Sequence, residues 1–177
     1  MSRIRITGGD WRSRLIQVPD APGLRPTPDR VRETLFNWLG QDLGGLACLD
    51  LFAGSGILGF EAASRGADYV AFVESSRTAF AALQKHADGF ACPRLELFCC
   101  DALKFAPPAG RRFDLLFLDP PYGQGWLARV ESRLEQLAAP QARIYAEAEV
   151  ALKRLGCWTV TKQGRAGQVY FHLLEQA

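Results

Sequence analysis

With 177 residues, 48% of them hydrophobic and 23% charged, the chain fits one soluble globular domain able to bury a substantial core. No apolar run approaches the length of a membrane span, and Met1-Ser-Arg-Ile-Arg lacks an apolar signal core, so a cytoplasmic protein is expected. Five cysteines without a CxxC pair and two distant histidines, His86 and His172, argue against a disulfide framework and give metal chemistry little to stand on. No metal is expected.

The formal charge of +2 is unevenly placed. Residues 1–32 carry seven arginines, no lysine and three aspartates. Arginine suits bidentate phosphate contacts and stacking on bases. With Trp11 set among Arg5, Arg12 and Arg14, the segment reads as a nucleic-acid contact, and Arg3, Arg25 and Arg30 extend it. The competing reading is a solvated arm.

Arg3 to Thr7 and Arg14 to Val18 read as two strands of a hairpin around Gly8-Gly9-Asp10. A Pro-rich extended stretch, Pro19 to Pro28, follows. A helix then opens at Thr27-Pro28-Asp29, with Thr27 as a suitable N-cap and an apolar stripe of Val31, Leu35, Trp38 and Leu39, and stops at Gly40. From Leu46 strands and helices alternate. Strands are expected up to Asp50, over Tyr69 to Val73, Leu95 to Cys99, Asp114 to Leu118 and Ile144 to Ala148. Helices are expected over roughly Gly56 to Arg65, Thr78 to Ala87 and Trp126 to Leu137. Trp158 to Thr161 and Val169 to Leu174 form a closing hairpin around Gly164-Arg-Ala-Gly167. The alternation implies an α/β fold with a mostly parallel sheet and an antiparallel edge. An arm over residues 1–27 and a globular unit over 28–177 are expected.

Cys48-Leu-Asp-Leu-Phe-Ala-Gly-Ser-Gly-Ile-Leu-Gly59 runs a strand into a glycine turn and a helix, the arrangement that builds nucleotide pockets in doubly wound folds. Gly54-x-Gly56-x-x-Gly59 also fits a dinucleotide pattern, which alone is weak. Asp50 at the strand end would repel a pyrophosphate and attract an ammonium or sulfonium. S-adenosylmethionine carries both cations. Phe113 to Leu118 then ends in Asp119-Pro-Pro-Tyr122. Asp119 and the Pro120 carbonyl can accept hydrogen bonds from an exocyclic amine, Pro120 and Pro121 fix the backbone, and Tyr122 offers a ring for stacking. Glu74, eighteen residues beyond Gly56, has the spacing of a ribose-binding carboxylate. Asp101, with Ala102 beside it, follows the third strand as a partner for an adenine amino group.

Arg5-Ile-Thr-Gly-Gly-Asp-Trp-Arg12, the segment from Leu24 to Leu39, Asp50-Leu-Phe-Ala-Gly-Ser-Gly56, Asp119-Pro-Pro-Tyr122 and Gly167-Gln-Val169 together resemble the bacterial 16S ribosomal RNA guanine-N2 methyltransferases. The resemblance runs over nearly the whole chain in order. One departure lies in Thr7 to Ser13, where Ile and Lys are common at the first and fourth positions and this chain has Thr7 and Asp10. The resemblance implies a seven-stranded class I methyltransferase fold (Rossmann-like) using S-adenosylmethionine and releasing S-adenosylhomocysteine. It implies that Asp50, Gly54 and Gly56, with Phe52 and Ala53 in the same turn, surround the methionine part of the cofactor. Glu74 would hold the ribose, Asp101 and Ala102 the adenine, and Asp119 to Tyr122 the guanine. Arg25-Pro26-Thr27 would lead over the cofactor. The implied partner is 16S rRNA, within the small subunit or an assembly intermediate, for a monomeric enzyme. Asp-Pro-Pro-Tyr by itself also suits adenine-N6 enzymes; the N-terminal segments favour guanine. Other readings are a nicotinamide oxidoreductase, which Asp50 and Asp119 oppose, and a non-catalytic assembly factor.

Overall fold

The structure, a computed structural model, describes residues 1–20 and 26–177. Its core is a sheet of order β5-β4-β3-β6-β7-β10-β9-β8. Strands β3 (Ala47–Asp50), β4 (Tyr69–Val73), β5 (Leu95–Phe98), β6 (Phe113–Leu118) and β7 (Ala138–Ala148) run parallel. β10 (Val169–Gln176), β9 (Trp158–Ala166) and the two-residue β8 (Arg154–Leu155) complete it antiparallel. β8 is an addition to the seven strands expected.

Period-two alternation sends side chains to two cores. Cys48, Val70, Phe72, Leu115 and Phe117 face α1 (Asp29–Leu39), α2 (Ile57–Ser64) and α3 (Arg77–Phe90). Leu49, Ala71, Val73, Leu116 and Leu118 face α4 (Trp126–Leu137) through Val130, Leu134 and Leu137. Leu118 of β6 lies level with Ala146 of β7, so Asp119 emerges beside Glu147.

The N-terminal hairpin, β1 (Ser2–Arg5) with β2 (Leu15–Val18), is a separate antiparallel pair lying on the helical layer. All eight residues of α2 are buried, because the residues that link β1 to β2 cover the side turned away from the sheet. Asp10 N–H donates to the Ser64 carbonyl at 2.8 Å, and Ser64 Oγ donates to the Gly8 carbonyl at 2.6 Å. A Cβ on Gly9, where φ is +76°, would come within 2.0 Å of that Ser64 oxygen. The hairpin expected around Gly8-Gly9-Asp10 forms, and Gly8-Gly9 is also where its connection meets α2.

Three expectations are corrected. Pro28, not Thr27, occupies the cap of α1, and it makes no side-chain cap bond. The Thr27 hydroxyl points instead to carboxylates across the sheet edge. β7 begins directly after α4 and contains Pro140, tolerated because the pairing with β6 shifts between Phe113 and Leu115. In the closing hairpin the turn is Gly167-Gln168. Gly164 lies inside β9 opposite Phe171, where a Cβ would meet the Phe171 ring at 2.2 Å.

Candidate active site

A cavity of about 620 Å³ opens at the carboxyl ends of the parallel strands. Its wall is the turn after β3, where Ala53 N–H donates to the Val73 carbonyl at 2.9 Å and Gly56 N–H to the Ala53 carbonyl at 2.7 Å. Gly54 and Gly56 have φ of +53° and +80°, which glycine adopts without strain. Gly56 caps α2 behind the wall, where a Cβ would collide with Leu83 and Phe60, and it does not line the cavity. Phe52, Ala53, Gly54 and Ser55 do.

Asp50 is 1% exposed, and its Oδ2 accepts from Gly59 N–H at 3.1 Å. Burial pushes its carboxyl up to about 7, against the Gly59 bond and with a further push from Glu74. Glu74 also lines the cavity, and each of its oxygens already takes a backbone N–H: Gly54 at 2.8 Å and Ser76 at 2.7 Å. A carboxylate oxygen has a second lone pair, so ligand hydroxyls can add to these bonds.

Asp119, Pro120, Pro121 and Tyr122 face the same cavity from the end of β6. Pro120 is buried and Tyr122 is 43% exposed. Thr27 and Pro26 also line the cavity, with Thr27 beside Asp119. Thr27 Oγ1 lies 3.3 Å from Asp119 Oδ2 and 2.9 Å from Glu147 Oε1, and the Tyr145 hydroxyl donates to the same Glu147 oxygen at 2.8 Å. Burial, then the charge of Glu147 and a hydrogen bond with it, then Asp50, hold Asp119 well above the ordinary carboxylate range, while Thr27 pulls the other way.

Among the expected cofactor residues, Asp101 does not line the cavity. Its Oδ1 accepts from Leu103 N–H at 2.7 Å, closing a turn of its own, and Cys100 and Ala102 present themselves instead. Glu147, Tyr145 and Trp126 are residues the sequence reading did not assign to the site. Glu147 had a signal, a lone acid inside the apolar run of β7. Trp126 starts α4 and meets Phe52 edge-on at 5.5 Å, so it is both a core and a cavity residue.

The arginines of the arm divide by environment. Arg3, Arg5, Arg12, Arg14 and Arg30 are exposed. Arg14 donates to the Gly89 carbonyl at 3.0 Å and covers the Phe90 ring at 4.0 Å, and Trp11 stacks on that ring at 4.1 Å. Arg32, counted in the basic segment, is fully buried between Asp29 at 2.6 Å and Glu61 at 3.6 Å. Arg25 lies outside the described residues.

A family model described as Conserved hypothetical protein 95 matches residues 4–175. "Ribosomal RNA small subunit methyltransferase D" of Escherichia coli is 40% identical over 98% of this chain and 90% of its own length. The chain belongs to that methyltransferase family. A solved Escherichia coli structure superposes on this member of the family with a TM-score of 0.88 at 37% identity, covering 99% of this chain and 98% of that one. An RNA methyltransferase from Salinibacter ruber, in complex with S-adenosyl-L-homocysteine, shares the fold at a TM-score of 0.66 and 15% identity, over 85% of this chain and 93% of that one. Family membership makes the chain a methyltransferase of the class I fold, and among its described residues no helix is long and apolar enough to cross a membrane.

Proposed function

We propose that this methyltransferase transfers one methyl group from S-adenosylmethionine to the exocyclic N2 of a guanine in small-subunit ribosomal RNA. The observation that carries the reading is the shared cavity: the glycine turn with Asp50 and Glu74 on one side, and Asp119 to Tyr122 on the other. Its volume is in the range of small-molecule sites, and its acids suit a ligand bearing a sulfonium, an ammonium and ribose hydroxyls but no phosphate. Asp50 would face the cationic part, Glu74 the ribose and Ala102 the base. When bound, S-adenosylmethionine supplies an electrophilic methyl group.

The chain's own residues supply alignment. An amine on a conjugated ring is a poor nucleophile because its lone pair is delocalised. Hydrogen bonds from that amine to Asp119 and the Pro120 carbonyl would turn the lone pair towards the methyl group. Pro120 and Pro121 hold the backbone and bring no competing amide donor. Tyr122 would stack on the base once it has left the RNA stack. The exposed Arg3, Arg5, Arg12 and Arg30 would hold the phosphates.

Incubation with labelled S-adenosylmethionine and small subunits lacking the modification, followed by digestion to nucleosides, tests this directly. Label in N2-methylguanosine is expected. Label in N6-methyladenosine, or none, would refute it.

A further inference from the structure

Thr27 has one hydroxyl hydrogen and two carboxyl groups beside it. Its oxygen is 2.9 Å from Glu147 Oε1 and 3.3 Å from Asp119 Oδ2. Glu147 is 5% exposed, Thr27 3% and Tyr145 fully buried, so water reaches little of the Thr27–Glu147 pair. The conflict resolves if Asp119 is protonated, so that Thr27 donates to Glu147 and accepts from Asp119, which also shares a hydrogen bond with Glu147 itself. That leaves Asp119 Oδ1 for the base. The groups turned to this cluster agree. Asp50 faces Asp119 from β3 and disfavours a second charge there, while Tyr145 donates its hydroxyl to Glu147 Oε1. Arg32 of α1, whose Nη1 donates to the Thr27 carbonyl at 3.1 Å, fixes the bridging residue.

We infer that Glu147 is the terminal acceptor of the proton released by the target amine, which reaches it through Asp119 and the Thr27 hydroxyl. This rests on the proposed amine methylation. As the amine nitrogen commits its lone pair to the new bond to carbon, the methyl group's old bond breaks with its electron pair left on the donor. One N–H bond then breaks and its pair returns to nitrogen. That proton joins Asp119 Oδ1, the Asp119 Oδ2 proton moves to Thr27 Oγ1, and the Thr27 proton moves to Glu147 Oε1. Asp119 is neutral before and after, and the charge of Glu147 is cancelled. The buried anion also makes Oδ1 a stronger acceptor than the carbonyl of an isolated acid. Asp119 touches the amine; Thr27 and Glu147 act through it.

Two measurements test this. Glu147→Gln keeps size and hydrogen bonding but not the ability to take the proton. With RNA and S-adenosylmethionine saturating, its single-turnover rate is expected to fall by about a hundredfold, the lower end of general acid–base contributions, with both affinities held. Thr27→Val should fall by a similar factor, Thr27→Ser should recover most of that loss, and the Glu147→Gln/Thr27→Val pair should be no slower than either alone. Infrared difference spectra of the ligand-free protein at about pH 8, roughly one unit above Asp50, should show a protonated carboxyl band that Asp119→Asn and Glu147→Gln both remove. A Glu147→Gln rate equal to wild type, or a band that survives both substitutions, overturns the relay. Wild-type protein that leaves the guanine amine unmethylated overturns the underlying reading instead.

Discussion

Glu74 Oε2 accepts the backbone N–H of Gly54 at 2.8 Å, so the acid that ends β4 braces the turn that follows β3. Its other oxygen holds Ser76 N–H, which sets the entry to α3. The residue expected from spacing to meet a ribose thus also shapes the pocket wall. Removing it costs two charge-assisted hydrogen bonds, each roughly 1.5–3 kcal/mol, in addition to any ligand contact. Glu74→Ala is therefore expected to lose at least a hundredfold in S-adenosylmethionine affinity and to melt earlier, with Glu74→Gln between it and wild type. Calorimetry and thermal melts read both. Unchanged affinity in Glu74→Ala would remove Glu74 from the site.

Asp50 gives a pH signature. Its carboxyl is raised from the ordinary value to about 7 by burial. The folded state then binds a proton that the unfolded state has already lost, so stability is fully present at low pH and declines as pH rises through about 7. Asp50→Asn keeps an acceptor for Gly59 N–H and removes the titration. Its melting temperature should gain on wild type between about pH 4 and pH 7, the unfolded and folded values of the carboxyl. A constant difference across that range would contradict the assignment. A bound cation favours the ionised carboxylate, so S-adenosylmethionine affinity should rise over the same window.

The arm has a docking half and an exposed half. Thr7 donates to Glu61 from both N–H and hydroxyl, at 2.6 and 2.8 Å, and Glu61 also lies 3.3 Å from Arg65 Nε and 3.6 Å from Arg32 Nε. Glu61→Ala would leave Arg32, itself fully buried, without that compensation, at a cost of about 3–5 kcal/mol. The hydrogen-exchange protection of Thr7 and Trp11 should fall with it. Protection retained at both amides would show that Glu61 does not anchor the arm. For RNA, Arg12→Ala should flatten the salt dependence of binding by about 0.7 in log–log slope. Arg14→Ala should change it less, because its guanidinium is held by Gly89 and Phe90. Equal slopes for Arg12→Ala and wild type would leave the arm a purely structural element.

The elements that were legible in the sequence are those whose pattern has one physical solution. Trp126–Leu137 and Tyr69–Val73 form over the residues expected, because a 3.6-residue stripe and an apolar run after a turn leave little choice. Asp50, Glu74 and Asp119, read from the sequence as strand-end acids, line one cavity because strand ends converge on one edge of a parallel sheet. Residues whose role depends on a distant partner were misread or missed. Thr27 looks like an N-cap locally, and its partner Glu147 is 120 positions away. Arg32 looks like part of a basic arm until Glu61 of α2 is placed beside it.

Asp119 tests the central claim most directly. It lines the cavity, lies 3.3 Å from Thr27 and, among the described residues, holds up no other element through a hydrogen bond to backbone. Asp119→Ala should keep S-adenosylmethionine affinity within about threefold, below 1 kcal/mol, and lose most of its single-turnover methylation of guanine N2 at saturating RNA. Tyr122→Ala is the contrast: loss of a stacking ring costs roughly 1–3 kcal/mol of base binding, so its defect should shrink as RNA is raised. A single measurement decides: the single-turnover rate of Asp119→Ala with both substrates saturating. The expected result is a rate at least a hundredfold below wild type with RNA and cofactor still bound. A wild-type rate would contradict the role given to Asp119 and the methyl-transfer geometry built on it.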